Sequence, residues 1–293
     1  MSLLVEPLGY EFFRQGLVAS LLVGGLCGML GVYIILRRMS YIGHGLSHAV
    51  FGGAVVAYVA SINFYIGAGL WGFFSALLIN ATARRRRIGA DAAIGIVTTA
   101  SFAVGVALIS KTRSFTRNFE AALFGNILGV TPLDLVVVAV VTAGVAAFIL
   151  LFYKRLLFMT FDPEVAPIYG VNVRVVDSLF ALAMAATIVA SINVVGVTLI
   201  AATLVIPSTT ARLLTDSFGR MIVLSTVIGA VAGGLGMYTS YWLDVSSGAT
   251  IVLLEAGIFL LVFTGTALAR RRPSWADQPL PALARDRPSD DLG

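Results

Sequence analysis

Long apolar runs, separated by short polar connections, dominate the chain. They lie near 15–36, 43–61, 64–83, 91–110, 134–153, 175–192, 194–211, 219–242 and 248–269. A helix of about 20 residues crosses a hydrocarbon core of ~30 Å, so each run is a candidate span. The ~10-residue alternating strands of a membrane barrel are absent. The stretch 175–206 would be ~48 Å long as one helix, too long for a single crossing. It must break, and Asn193 and Gly196 mark the place. The segment that follows is then short, with Pro207 as a second interruption. The pattern therefore predicts an all-α, polytopic helical transmembrane domain over residues 1–272 with eight or nine spans. The Gly-, Ser- and His-rich run 43–61 and the short run 194–211 are the two that decide the count. If either is re-entrant, the spans number eight and the N-terminus moves inside.

Charge orients the bundle. With nine spans and the N-terminus outside, sixteen of the twenty Lys and Arg residues face the cytoplasm. Only Arg14, Lys111, Arg113 and Arg117 lie outside, and the opposite orientation inverts the ratio. The Arg84–Arg87 run reads as a topological anchor. Composition agrees with a membrane protein: 58% of residues are hydrophobic and 12% are charged. A soluble domain carries about twice that charge fraction. The net charge of +5 sits in short connections, not on one folded face, which argues against a nucleic-acid surface. Residues 1–13 have no basic segment ahead of an apolar core, so the first span is expected to serve as its own insertion signal. The single Cys27 excludes an internal disulfide.

Three non-membrane pieces stand out. The connection 154–174, KRLLFMTFDPEVAPIYGVNVR, is too long for a turn. Its Asp162-Pro163-Glu164 run predicts a short helix that ends near Gly170. Residues 112–133 form an outer loop with a helical-looking core, FEAALFGNIL. The tail 273–293 is rich in Pro and charge and reads as disordered and cytoplasmic.

The chemistry concentrates in YIGHGLSHAVFGG, residues 41–53, which holds the only two histidines, His44 and His48. Spacing of i and i+4 puts both on one helical face. Counted from the Arg37–Arg38 edge, they lie roughly 5–15 Å into the bilayer. An ionisable side chain at that depth is costly unless it faces protein or a water-filled path. Neutral imidazole is also the commonest ligand for borderline metals. A bland reading has each histidine bonded to a neighbouring helix. A metalloprotease would need H-E-x-x-H, and in H-G-L-S-H the base is replaced by Gly45. Gly43, Gly45, Gly52 and Gly53 leave room for close packing or for an ion beside the backbone.

Glu255, roughly 10 Å inside the last span, is a further candidate metal residue, set against a structural role. Asn80 and Asn193 read as interhelical hydrogen-bonding residues. Asp91, Asp134 and Asp177 stand at span starts, where carboxylates suit the helix dipole. No P-loop is present, so any ATP-driven transport needs a separate ATPase.

Several stretches together resemble a known family. LGVYIILRRMSYIGHGLSHAVFGGAVVAY (30–58) is similar to a stretch in which an Arg-Arg/Met turn leads into D-A-x-S-H-A. DAAIGIVTTASFAVGVALIS (91–110), LFGNILGVTPLDL (123–135), FDPEVAPIYGV (161–171) and VVGVTLIAATLVIPSTTARLL (194–214) follow in family order. The chain resembles, from about residue 12 to 270, the permease subunits of bacterial ABC importers for zinc, manganese and iron. The resemblance implies a type II-like importer permease in the bacterial inner membrane. It implies pairing with a second permease copy or a paralogue, with two cytoplasmic ATPase subunits and with an extracytoplasmic metal-binding protein. It places Asp162, Glu164 and Gly170 in the region that meets the ATPase, and His44 and His48 on the metal path. His48 falls on the family's His, whereas His44 replaces its Asp. Nitrogen in place of a hard oxygen favours zinc. The expectation is a non-enzymatic transport subunit whose only ligand is the transported metal, zinc first. A manganese or iron permease is the alternative, and a gradient-driven cation transporter using His44, His48 and Glu255 as a proton relay is a rival.

Overall fold

A computed structural model describes residues 5–83, 89–112, 123–125 and 129–270. The arginine run 84–87, most of the 112–133 loop and the 273–293 tail lie outside the described residues. Ten helices make up the fold among the described residues. They are α1 (Glu11–Leu36), α2 (Ser40–Val59), α3 (Phe64–Ala83), α4 (Ala90–Thr112), α5 (Pro132–Leu151), α6 (Tyr153–Phe161), α7 (Val173–Val195), α8 (Ile200–Leu214), α9 (Phe218–Leu243) and α10 (Ser247–Arg270). Eight are long and apolar enough to cross a membrane, and α8 is a shorter apolar helix.

The doubtful run 43–61 is a full helix that starts at Ser40. The long run 175–206 breaks at Gly196, where φ is +87°. A Cβ there would meet the backbone of residues 123–125, so only glycine fits both the angle and the space. Two hydrogen bonds pin the break: the backbone N–H and the hydroxyl of Thr198 donate to the Leu123 carbonyl at 3.2 and 2.7 Å. Pro207 lies inside α8 without ending it. The hydroxyls of Ser208, Thr209 and Thr210 bond back to the Leu204, Val205 and Ile206 carbonyls of the preceding turn.

From the break, α8 runs back to the Arg37 end, where Ala211 packs with Val32 and Met221. Among the described residues nine helices thus run between the two ends, the seventh of them, α8, a short one of 15 residues, or ~22 Å. The first and last helices therefore begin and end on opposite faces. Arg37, Arg38, Lys154, Arg155, Arg174, Arg212 and Arg220 gather at one end, and Arg14 and Lys111 at the other. The positive-inside rule assigns the basic end to the cytoplasm.

Packing follows small residues. Gly24 and Gly28 of α1 meet Gly229 and Ser225 of α9, with no room for a Cβ at either glycine of α1. Ser225 Oγ donates to the Gly28 carbonyl at 2.6 Å, which only this close approach allows. Helices α1, α2 and α7 supply most of the buried core, including Phe13, Leu26, Leu30, Tyr33, Leu46, Phe51, Phe180 and Met184. By contrast α10 turns Leu253, Leu260, Leu261, Phe263 and Leu268 outward.

The expected helix 163–170 is not a helix. The helix of this connection is α6, and residues 163–170 fold as consecutive turns. Asp162 Oδ1 accepts from the Val165 N–H at 3.2 Å, as a cap would. Pro167 has no N–H to bond Pro163, so the first turn does not propagate. Gly170, with φ +72°, closes the segment.

Candidate functional site

The first turns of α2 carry the histidines. Arg37 Nη2 bonds Asp177 Oδ1 at 2.5 Å and lies over the Phe180 ring, tying the end of α1 to the start of α7. The chain turns at Arg38, whose φ is +55°, and enters α2 at Ser40. His44 and His48 follow on one face, as their spacing requires, with ring centroids 4.6 Å apart and planes at 81°. Tyr41 flanks His44 on the cytoplasmic side at 5.8 Å. Phe102 of α4 flanks His48 on the other at 5.2 Å, ring edge to ring face. His44 is exposed and His48 half-buried.

Two features bear on ligand binding. His48 Nδ1 is buried and has no hydrogen-bond partner, so the expectation that a neighbouring helix satisfies each histidine fails at this atom. A buried imidazole nitrogen without a partner costs free energy unless something absent from the protein alone fills it. The two rings meet edge to face, close enough for both side chains to approach one ion. Among the described residues no three His, Cys, Asp or Glu side chains cluster for a metal. The described residues thus offer two side-chain nitrogens at this face.

The glycines of this stretch serve packing. A Cβ at Gly45 would collide with Ile94 and Thr98, one at Gly52 with the Ser101 carbonyl, and one at Gly53 with Trp71. They draw α3 and α4 against α2 and fix the orientation of the histidine face. Ser47 is fully buried and donates to the His44 carbonyl at 2.8 Å, so it turns away from that face.

Glu255 is not part of this site. It is fully buried on α10, beside Cys27 of α1, and neither histidine faces it. Asp162, Glu164 and Gly170 are all exposed at the cytoplasmic end, on the turn segment. Between them lies a feature the sequence reading missed: Ile168 is 81% and Tyr169 67% exposed, and Tyr169 stacks on Phe158 at 5.2 Å. The signal was present, since two large apolar residues stood in a connection already assigned to water.

Two further polar clusters were only half legible. Asp134 caps α5 through Thr131, as its position suggested, but Tyr65 of α3 and Asn193 of α7 also donate to it, the latter at 3.1 Å. Asn80 of α3 donates to Ser178 of α7 at 3.4 Å, so both asparagines do join helices.

Residues 9–266 match the ABC 3 transport family. The chain belongs to that family. It is 40% identical over 258 residues to the manganese transport system membrane protein MntC of Halalkalibacterium halodurans, covering 88% of each chain. It is 36% identical over 258 residues to a Haemophilus influenzae protein named "Probable iron transport system membrane protein", covering 88% of this chain and 95% of that one. Among solved structures it is similar to a chain of PsaBC from Streptococcus pneumoniae in complex with Fab. The TM-score is 0.80 and the identity 34%, over 89% of this chain and 94% of that one. As an ABC 3 permease with eight full-length apolar helices, it is a multi-pass protein of the bacterial inner membrane.

Proposed function

We propose that the chain is the membrane-spanning permease subunit of an ATP-driven importer of a divalent first-row metal, manganese first and iron second. The observation that carries this reading is the paired imidazoles of His44 and His48, with an unfilled buried nitrogen, inside an ABC 3 permease. The zinc expectation rested on His44 alone, whereas the relatives above carry manganese and iron in their names. Imidazole accepts manganese, iron and zinc, so the pair by itself excludes none of them. A carrier also needs binding weak enough to release, which an incomplete site of two nitrogens per chain supplies.

The rest of the machine follows from chemistry that the chain lacks. No phosphate-binding loop is present, so ATP is hydrolysed on partner subunits. Their docking surface is the 162–170 segment, where Ile168 and Tyr169 present apolar surface between Asp162, Glu164 and Gly170. A second permease copy or a paralogue completes the ligand set, and an extracytoplasmic binding protein delivers the metal to the outer end.

The test is uptake of manganese, iron and zinc, in competition, by vesicles that hold the assembled complex. ATP-dependent manganese or iron uptake is expected. Replacing both histidines by alanine lowers it at least ~tenfold while the complex persists, about 1.4 kcal/mol of lost binding or more. Uptake by the permease alone without ATP, or full uptake by the double variant, overturns the reading.

A further inference from the structure

Glu255 is the one carboxylate among the described residues with no exposed surface. Neither of its oxygens has a hydrogen-bond partner. Its helix, α10, packs on α8 and α9 and faces outward along the rest of its length, yet Glu255 turns inward toward Cys27 of α1. There it faces Cys27, also fully buried, and Ser191 lies beside Cys27 with a hydroxyl that has no aligned partner. Three polar side chains from three helices thus meet in apolar surroundings, and the two Glu255 oxygens are left without a partner.

The neighbouring helices supply no counter-charge. Cys27 of α1 is the titratable group that faces the carboxyl, and no basic side chain of α7, α8 or α9 offsets it. The basic residues of α8 and α9, Arg212 and Arg220, are exposed at the cytoplasmic end. An ionised carboxylate with no counter-charge costs several kcal/mol at such a place, more than a single span can absorb. A neutral carboxyl is compatible with it, and Cys27 and Ser191 are the hydrogen-bonding groups it can reach.

We propose that Glu255 is a proton-binding site inside the permease, separate from the histidine face, that holds its proton while α10 is seated on α8 and α9 with Glu255 against Cys27. When water enters that seam, the O–H bond breaks, the electron pair stays on the carboxylate and the proton leaves as hydronium. The seam begins where the break between α7 and α8 meets the start of α10: the Val195 and Phe124 carbonyls close on Gly248, and Ser246 Oγ donates to the Phe124 carbonyl at 3.2 Å. A rearrangement of that break is thereby linked to the protonation of Glu255.

The experiment uses the full chain in lipid nanodiscs. Infrared spectroscopy at neutral pH is expected to show the carbonyl stretch of an un-ionised carboxyl, which Glu255→Gln removes. Asp134→Asn leaves that band in place. No such band, or a band that survives in Glu255→Gln, overturns the proposal. The second readout is Cys27, the only cysteine in the chain, labelled with N-ethylmaleimide. As pH rises until the band is lost, labelling of the native chain is expected to exceed that of Glu255→Gln at the same pH by about tenfold, the variant correcting for ordinary thiol ionisation. A new negative charge beside Cys27 by itself slows thiolate formation, so faster labelling reports water in the seam. Parallel labelling of both proteins overturns the link to seam opening. Neither readout involves metal uptake, so the outcome is independent of the proposed transport.

Discussion

Arg37 and Asp177 stand 140 positions apart in sequence and form an ion pair of 2.5 Å that joins α1 to α7 at the cytoplasmic edge. Both side chains are largely withdrawn from water, at 14% and 16% exposure. Arg37 also lies over Phe180, so the guanidinium has a ring beneath it and a carboxylate beside it. Removing Arg37 takes from Asp177 the guanidinium that bridges it to α1. Arg37→Ala is expected to destabilise the bundle by about 3 kcal/mol, the lower end for a broken buried pair. The exchange of both residues, Arg37→Asp with Asp177→Arg, recovers part of that loss. Thermal unfolding of the detergent-solubilised chain measures both, and equal losses in the single and exchanged variants would refute the pairing.

The outer end holds together through Asp134. It accepts from the Thr131 N–H and hydroxyl, both at 2.7 Å, from Asn193 Nδ2 and from Tyr65 Oη. Those donors lie on α3, α7 and the cap of α5. Tyr65→Phe and Asn193→Ala each remove one donor and are expected to cost about 1–2 kcal/mol. Asp134→Ala removes the cap and both interhelical bonds together, so its cost exceeds that of either single donor. The ranking in unfolding midpoints is the check. An Asp134→Ala chain no less stable than Tyr65→Phe would show that the interhelical bonds contribute nothing.

These two cases show what sequence could and could not convey. The positions of Asp134 and Asp177 at helix starts were readable, because a carboxylate at a helix start is a local pattern. Their partners were not, since Arg37, Tyr65 and Asn193 lie on other helices and pairing across a bundle leaves no trace in spacing. The apolar runs gave the helices to within a few residues, and the ~48 Å stretch forced a break that Gly196 provides. The 163–170 helix failed because an acidic start and Pro163 are only a beginning, and Pro167 stops propagation one turn on. The histidine face was legible as a face. Its empty His48 nitrogen was not, because satisfaction is a property of neighbours.

Glycine packing makes a sharper stability prediction. Gly24 and Gly229 face each other so closely that a Cβ on either would strike the other's backbone. Backbone cannot move aside as a side-chain tip can. Gly229→Ala is expected to separate α1 from α9 and cost at least about 2–3 kcal/mol, the upper range for overpacking. Gly257→Ala on α10 meets nothing within 4 Å and should be neutral or slightly stabilising through helix propensity. Expression and thermal stability of the two variants, side by side, test the contrast. Equal behaviour would mean that the α1–α9 contact is looser than it stands here.

The exposed pair on the cytoplasmic turn tests the proposed ATPase docking. Ile168→Asp and Tyr169→Ala change surface side chains and should leave the fold intact. If ATPase subunits seat on this segment, Ile168→Asp lowers metal-stimulated ATP hydrolysis and co-purification of the ATPase at least ~tenfold, the effect of one central interface contact. Glu164→Ala, a neighbouring rim charge, changes them little. Native hydrolysis and native co-purification in Ile168→Asp would move the docking surface elsewhere.

The last prediction concerns what the cargo meets. His44 and His48 present two nitrogens, where the resemblance drawn from residues 30–58 implies an oxygen and a nitrogen. Carboxylate suits manganese, whereas imidazole suits zinc and iron better. His44→Asp keeps the helix, because the side chain is exposed at the first turns of α2 and an acid there suits the helix dipole. Its effect should fall on selectivity and not on assembly. In competition uptake, His44→Asp is expected to raise the preference for manganese over zinc about tenfold, or 1.4 kcal/mol. His48→Asp, which places the acid half-buried against the Phe102 ring, lowers uptake of every metal instead. An unchanged metal ratio in His44→Asp would show that the ion does not contact this side chain, and the metal path would then have to be drawn without it.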